Sequence, residues 1–296
     1  PELSTRSRKA SMDKPLKILV IDGYTKEGRD QFLEFGAKPA GVLYDAMLKR
    51  WSPVPVEVTL LHPADPGTEL PDAAGLSEFD GIAWTGCSLC LNDDIEPVHK
   101  QIQLAKDGFA SGTPSFGSCW AAQIAVVAAG GCVSPNINGR EQGISRKIKL
   151  TPEGLAHPMF EGKPEVFDAF TSHDDEVTDL SPFGVSLAGN SWSKIQAVDV
   201  RFDKGVFWSV QYHPEYDLSD MAGLVSCRIP KLIRRGFFPD EKTARAYIDD
   251  LQNLHDDPTR RDIAWRLGID GDVEDAATRC IEVKNWIEKL VIPSRS

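Results

Sequence analysis

The chain has 296 residues, with 33 Lys and Arg against 44 Asp and Glu, a formal net charge of −11, and is 41% hydrophobic and 26% charged. That is the balance of a globular chain with one large domain and room for an appendage, not of a disordered or fibrous one, and so acidic a surface repels phosphate backbones, which argues against nucleic acid as a partner. The longest apolar run, Ala121 to Ala129, is broken by Gln123 and falls far short of the ~18–20 residues a membrane-spanning helix needs, so no membrane is expected.

Residues 1–11 are polar and basic and read as a tag remnant or disordered arm; an amphipathic transit peptide is the rival, but the segment lacks an apolar face. A regular stretch opens at Met12. Leu16 to Ile21 is continuously apolar except for Lys17 and ends in the turn signal Asp22-Gly23, as a buried parallel strand does. A helical stretch is expected from about Gly28 to Trp51, then strands at Val54–Leu61 and Gly81–Thr85. Ile95, Val98, Ile102, Ala105 and Phe109 recur at three- and four-residue steps and predict a helix. A fourth strand at Pro114–Gly117 and a small apolar helix at Trp120–Ala129 follow. Beyond Ile144 the texture changes to short strands: Ile144–Leu150, Glu165–Phe170, Val185–Ala188, Ile195–Val198 and Val206–Val210. From Asp217 the chain turns helical, and Val273, Ala276, Cys280, Val283, Ile287 and Leu290 suggest one last amphipathic helix.

Strand–helix alternation predicts an α/β fold. A mostly parallel central sheet is flanked by helices on both faces, with a smaller mixed or antiparallel β part and a C-terminal helical extension. The expected division is 12–234 for the α/β domain and 235–296 for helices packed on it, whose outer faces offer a surface for self-association. Six cysteines (Cys87, Cys90, Cys119, Cys132, Cys227, Cys280) are sparse for this length and suit a reducing, cytoplasmic setting.

Two motifs carry chemistry. In Pro114-Ser115-Phe116-Gly117-Ser118-Cys119-Trp120 an extended run meets a glycine, then a cysteine, and a helix begins at once. Such a nucleophile elbow lifts one side chain above the sheet. The helix N-terminus stabilises negative charge on the sulfur, and the N–H of Trp120 points where an oxyanion would form. Read alone, Cys119 is equally a buried thiol at a strand–helix junction. The second motif, Gln211-Tyr212-His213-Pro214-Glu215, follows the strand ending at Val210. His213 and Glu215 are two residues apart in extended chain and share a face, so Glu215 can orient one imidazole nitrogen while the other faces a thiol. A lone His-Pro-Glu is also an ordinary turn.

Together the motifs resemble the class I, triad-type glutamine amidotransferase family, with its Gly-x-Cys-x-Gly elbow followed by Gln and its downstream Gln-[Phe/Tyr]-His-Pro-Glu. Gly117, Cys119 and Gln123 match the first, and Gln211 to Glu215 match the second at every position. Ala121 stands where the family has a second glycine, a change expected to narrow the room beside the thiol. The resemblance runs from about Leu16 to Leu224. It implies Cys119, His213 and Glu215 as the catalytic triad and Gly86, Cys87 and Trp120 as oxyanion N–H donors. Gln123 is implied at the substrate site. Thr171 to Val177 looks like the Ser-His-x-Asp-x-Val stretch of guanylate-synthesising members, and adds Ser172, His173 and Asp175 there. Gly139-Arg140-Glu141 resembles the turn that opens the family's small β region.

The implied activity is hydrolysis of a γ-glutamyl amide through a γ-glutamyl thioester, releasing glutamate and ammonia or an amine, with no metal and no cofactor. Cys87-Ser88-Leu89-Cys90 has metal or redox spacing but no second pair nearby to complete a zinc site. The expected partner is a small γ-glutamyl substrate. One alternative is a glutaminase subunit supplying ammonia to a separate synthase; about 80 residues follow Glu215, too few for a fused synthase domain. Another is a non-catalytic binding or regulatory protein on the same fold. The acidic helical tail is placed to cover the face a synthase would occupy, which favours a free-standing hydrolase with an amine larger than ammonia, and the bulk of Trp120 and the methyl of Ala121 are consistent with a reshaped pocket.

Overall fold

The continuous apolar segments of the first half become parallel strands, because residues buried on both faces leave no room for alternation. A computed structural model describes residues 14–295; the expected arm at 1–11 lies outside them. Strand β1 (Leu16–Ile21) buries every residue but Lys17 and pairs in parallel with β2 (Val56–Leu61) and β3 (Gly81–Trp84). Strand β3 pairs in parallel with β4 (Ser115–Ser118). The two-strand module β5 (Cys132–Pro135) and β8 (Asp175–Asp179), which the periodicity did not suggest, is antiparallel and separate. The strands β6 (Glu141–Leu150), β7 (Val166–His173), β9 (Gly184–Gly189), β10 (Ala197–Phe202) and β11 (Gly205–Val210) do not form a second sheet. They extend the first into nine strands in the order β2-β1-β3-β4-β11-β10-β9-β6-β7. Strand β11 is the hinge of the topology, parallel to β4 and antiparallel to β10.

The expected helix from Gly28 to Trp51 is two helices, α1 (Lys26–Glu34) and α2 (Ala40–Trp51). Gly36 sits at φ +71° and Pro39 caps α2, and both interrupt the periodic pattern. After the single turn α3 (Ala73–Leu76), α4 (Glu96–Ser111) and α5 (Trp120–Ala128) cover one face of the sheet. Helix α6 (Pro152–Ala156) is a short connection, and α7 (Leu218–Arg234) opens with a capping box between Asp217 and Asp220. Then come α8 (Glu241–Asp256) and α9 (Arg261–Leu267). The expected last helix is broken into α10 (Gly271–Glu274), α11 (Ala276–Arg279) and α12 (Ile281–Trp286). Asp275 accepts from the backbone N–H groups of Ala277 and Thr278 and so restarts the chain as a new helix.

These last turns enter the core. Val283, Trp286, Ile287 and Val291 belong to the same buried cluster as Leu16, Ile18, Val20, Phe116 and Tyr212. The Trp286 ring lies 5.8 Å from that of Phe116. The absent side chain at Gly81 makes room for it, since a Cβ there would sit 3.0 Å from the indole. Glu282, fully buried, pairs with Lys163 at 2.9 Å and accepts from the Tyr212 hydroxyl. Its carboxylate thereby ties α12 to the residue preceding His213. Breaking a buried pair by removing one partner is costly, because the remaining charge stays out of water. Glu282→Ala should lower the unfolding free energy by about 3 kcal/mol or more, measured by urea denaturation.

Candidate active site

Parallel pairing of β4 with β11 places Ser118 opposite Val210, so the two chains leave the sheet side by side at their carboxyl ends. The N–H of Cys119 donates to the Val210 carbonyl at 2.7 Å, which locks the elbow to the start of the Gln211–Glu215 segment. This register brings together residues 94 positions apart in sequence. Cys119 sits at φ 55°, ψ −100°, in a region that costs a non-glycine residue energy. Gly117 allows the bend: a Cβ there would lie 2.5 Å from the Trp84 carbonyl oxygen and 2.3 Å from the Ala121 methyl.

His213 is fixed from several sides. Its backbone N–H donates to Phe170 O at 2.8 Å, its ring stacks on Tyr216 at 4.3 Å and 9°, and Nδ1 lies 2.7 Å from Glu215 Oε1. Burial opposes charge on the ring. The Glu215 carboxylate and the neighbouring Cys119 sulfur outweigh it, and the pKa is raised to about 9. The Glu215 side chain is wholly buried, and its Oε1 also accepts from Ser118 Oγ at 3.0 Å. Ser118 in turn accepts from the Tyr44 hydroxyl at 2.7 Å. Tyr44 and Ser118 thus steady the carboxylate that steadies the imidazole. Ser118 lies inside the elbow motif, but nothing in its spacing signals this bond, and Tyr44 reads as an ordinary core position of α2.

A cavity of about 700 Å³ opens at this rim, lined by Cys119, Cys87, Gln123, Ser172, His173 and Asp175 among others. The Ser172 carbonyl is 3.8 Å from Cys119 Sγ. Three of the expected substrate contacts are engaged in the wall itself. Gln123 Nε2 donates to Asp175 O and Gln211 Oε1. Both nitrogens of His173 face acceptors at 2.8 Å, Asp175 O and Glu141 Oε2. Asp175 Oδ2 accepts from Cys90 Sγ at 3.0 Å. Gly86 runs close over the pair: a Cβ there would be 2.8 Å from His213 Cε1 and 3.6 Å from Cys119 Cβ. The Cys87 thiol donates to Gly23 O at 3.0 Å, and burial pushes its pKa well up. Cys87 and Cys90 therefore bond to separate groups, and among the described residues no cluster of His, Cys, Asp and Glu side chains is placed to hold a metal ion.

Two expectations about pocket shape are corrected. Trp120 turns away from the cavity into the core, its Nε1 donating to Gln101 Oε1 at 2.9 Å. The Ala121 methyl packs beneath the elbow against Gly117, not beside the thiol. What the sequence left unseen is cationic: Arg140, Arg228, Lys231 and Arg235 all line the cavity. Arg228 and Lys231 lie a turn apart on α7, Arg234 ends that helix and Arg235 is its C-cap, and all of them line the cavity too.

An α/β sheet carrying a cysteine elbow at this edge is the glutamine amidotransferase fold. The profile of the glutamine amidotransferase class-I family matches residues 47–225, and the chain belongs to that family. It is 32% identical over 286 residues to a Pseudomonas γ-glutamyl-L-1-hydroxyisopropylamide hydrolase, covering 94% of both chains. It is 34% identical over 128 residues to the glutamine-hydrolysing GMP synthase of Neisseria meningitidis serogroup B, 43% of this chain but 24% of that one. A Thermotoga maritima glutamine amidotransferase shares the fold, with a TM-score of 0.64 at 15% identity over 94% of this chain and 99% of that one.

Replacing the carboxylate beside Nδ1 removes the strongest influence that favours charge on the ring. Glu215→Gln should therefore lower the His213 pKa from about 9, followed by NMR titration of the ring. Ser118→Ala removes one donor from a buried carboxylate and should destabilise the fold at pH 7 by ~1–3 kcal/mol, read by chemical denaturation.

Proposed function

We propose that the chain hydrolyses γ-glutamyl amides, attacking the γ-carbonyl with the Cys119 sulfur and releasing glutamate and an amine. The sulfur forms a bond to the carbonyl carbon, and the oxygen takes up negative charge facing the N–H groups of Trp120 and of Gly86 or Cys87. The intermediate collapses as His213 passes a proton to the departing nitrogen, leaving a γ-glutamyl thioester and a free amine. Water, deprotonated by His213, then cleaves the thioester to glutamate and restores the thiol. Glu215 holds the imidazole in the orientation both transfers need, and supports its cation when it forms.

The observation that carries this reading is the buried His213 ring, bonded to Glu215 on one nitrogen and set beside Cys119, whose strained elbow opens on a cavity. An imidazole held cationic to about pH 9 is poised as the acid that expels an amine. Similarity to a γ-glutamyl-amine hydrolase along nearly its whole length favours an amine larger than ammonia. The cavity is also far larger than a carboxamide requires. The second reading, ammonia supply to a separate synthase, draws on the similarity to GMP synthases, of which this chain spans about a quarter.

Glutamate release measured with L-glutamine and with a panel of γ-glutamyl alkyl- and arylamines separates the two. The expected result is turnover of at least one γ-glutamyl amine by the isolated chain, faster than of glutamine. Release from no amide, with a thiol that still alkylates, would sink the reading. Cys119→Ser and Cys119→Ala should lose at least ~10³-fold in kcat with an unchanged melting temperature.

A further inference from the structure

Asp174 collects three of the five cations at the cavity. It accepts from Arg140 Nη1 at 2.6 Å, lies 3.5 Å from Lys231 Nζ, and pairs with Arg235. Arg234 and Arg228 lie outside this cluster. Of the two, Arg228 is the one tied to the thiol's surroundings: its Nη1 donates to Ser172 Oγ at 2.9 Å and its Nη2 to the Tyr24 hydroxyl at 3.4 Å, and no carboxylate of the described residues pairs with it. A guanidinium set back from water among other cations is unfavourable without a counter-charge. The local excess is felt next door, where burial and the nearby Arg140, Arg228 and Arg234 bring the Lys231 ammonium down to about 8. All this lies in a chain whose net charge is −11.

The position of Arg228 relative to the thiol gives the missing anion its identity. One residue, Ser172, bridges them: its carbonyl is 3.8 Å from Cys119 Sγ, and its hydroxyl accepts from Arg228 and, at 2.6 Å, from Arg140 Nη2. A single residue therefore spans the gap from thiol to guanidinium. A γ-glutamyl group has the same reach, with three carbons between the carbonyl that reacts and the carboxylate at its other end. A planar guanidinium fork binds a carboxylate through two parallel hydrogen bonds.

We propose that Arg228, with Arg140 beside it across Ser172 Oγ, is the receptor for the α-carboxylate of the γ-glutamyl substrate, so that the enzyme accepts only amides whose γ-glutamyl half carries a free α-carboxylate. This deepens the reading of Cys119 as nucleophile and rests on it, but it is testable without turnover. Calorimetric titration of the Cys119→Ala protein with γ-glutamylethylamide and with its α-carboxamide reads the carboxylate alone. The acid should bind roughly 10- to 100-fold more tightly than the α-carboxamide, the range of a charge-assisted bond. Arg228→Met in the same background should remove that preference and leave binding of the α-carboxamide unchanged. Arg228→Lys, which keeps the charge without the fork, should fall between. Equal binding of the two ligands by the Cys119→Ala protein, no binding of the acid, or a preference that survives Arg228→Met would overturn the proposal. Whether Cys119 performs the hydrolysis is decided separately by glutamate release from the chain with and without its thiol.

Discussion

One backbone hydrogen bond organises the chemistry of this fold, that from the Cys119 N–H to the Val210 carbonyl. It is the last rung of the parallel ladder between β4 and β11, and it fixes the point at which both chains stop being strands. Both halves of the proposed catalytic pair are carried by the two segments that leave it. The sulfur rises from one and the imidazole curls over from the other. Parallel pairing is what makes this work, because it sends both segments out at the same edge of the sheet. The strain at Cys119 is tolerated because the elbow is held on all sides, by that bond, by the packed Gly117–Ala121 contact beneath it and by the helix that begins at Trp120.

Around this pair the electrostatics are layered. Closest in are Glu215, buried and served by Ser118 and Tyr44, and a His213 ring whose charge it supports. One shell farther out the sign reverses, and Arg140, Arg228, Lys231 and Arg235 face the same cavity in an otherwise acidic protein. Such a field attracts a small anion toward the thiol and raises its local concentration. Asp174 keeps this cluster from being purely repulsive and leaves Arg228 outside its reach.

The parts of the architecture that announce themselves in sequence do so through local chemistry. Leu16–Ile21 can only be a doubly buried strand, and Gly117-Ser118-Cys119-Trp120 bends as its residue sizes require. The break at Gly36 and Pro39 was equally local, but the apolar periodicity on either side concealed it. The same holds for the last helix, where Asp275 is an effective cap inside an otherwise unbroken apolar stripe. Strands β5 and β8 escaped because they are short, half exposed and pair only with each other. Tyr44 and Arg228 were unreadable for a different reason. Each acquires its role from a partner more than fifty residues away, Ser118 for the one and Ser172 for the other, and no period along the chain encodes that meeting.

The burial of Trp286 and Glu282 beneath the sheet has a consequence for biosynthesis. The segment bearing His213 and Glu215 leaves the ribosome well before α12 does, so for that interval the nascent molecule has its reactive groups but lacks the wedge that closes its largest apolar cluster. The final turns act as a keystone set after the arch is raised, and a transcript cut short upstream of them yields a product with an open hydrophobic face, prone to sticking to its neighbours and visible to chaperones and proteases.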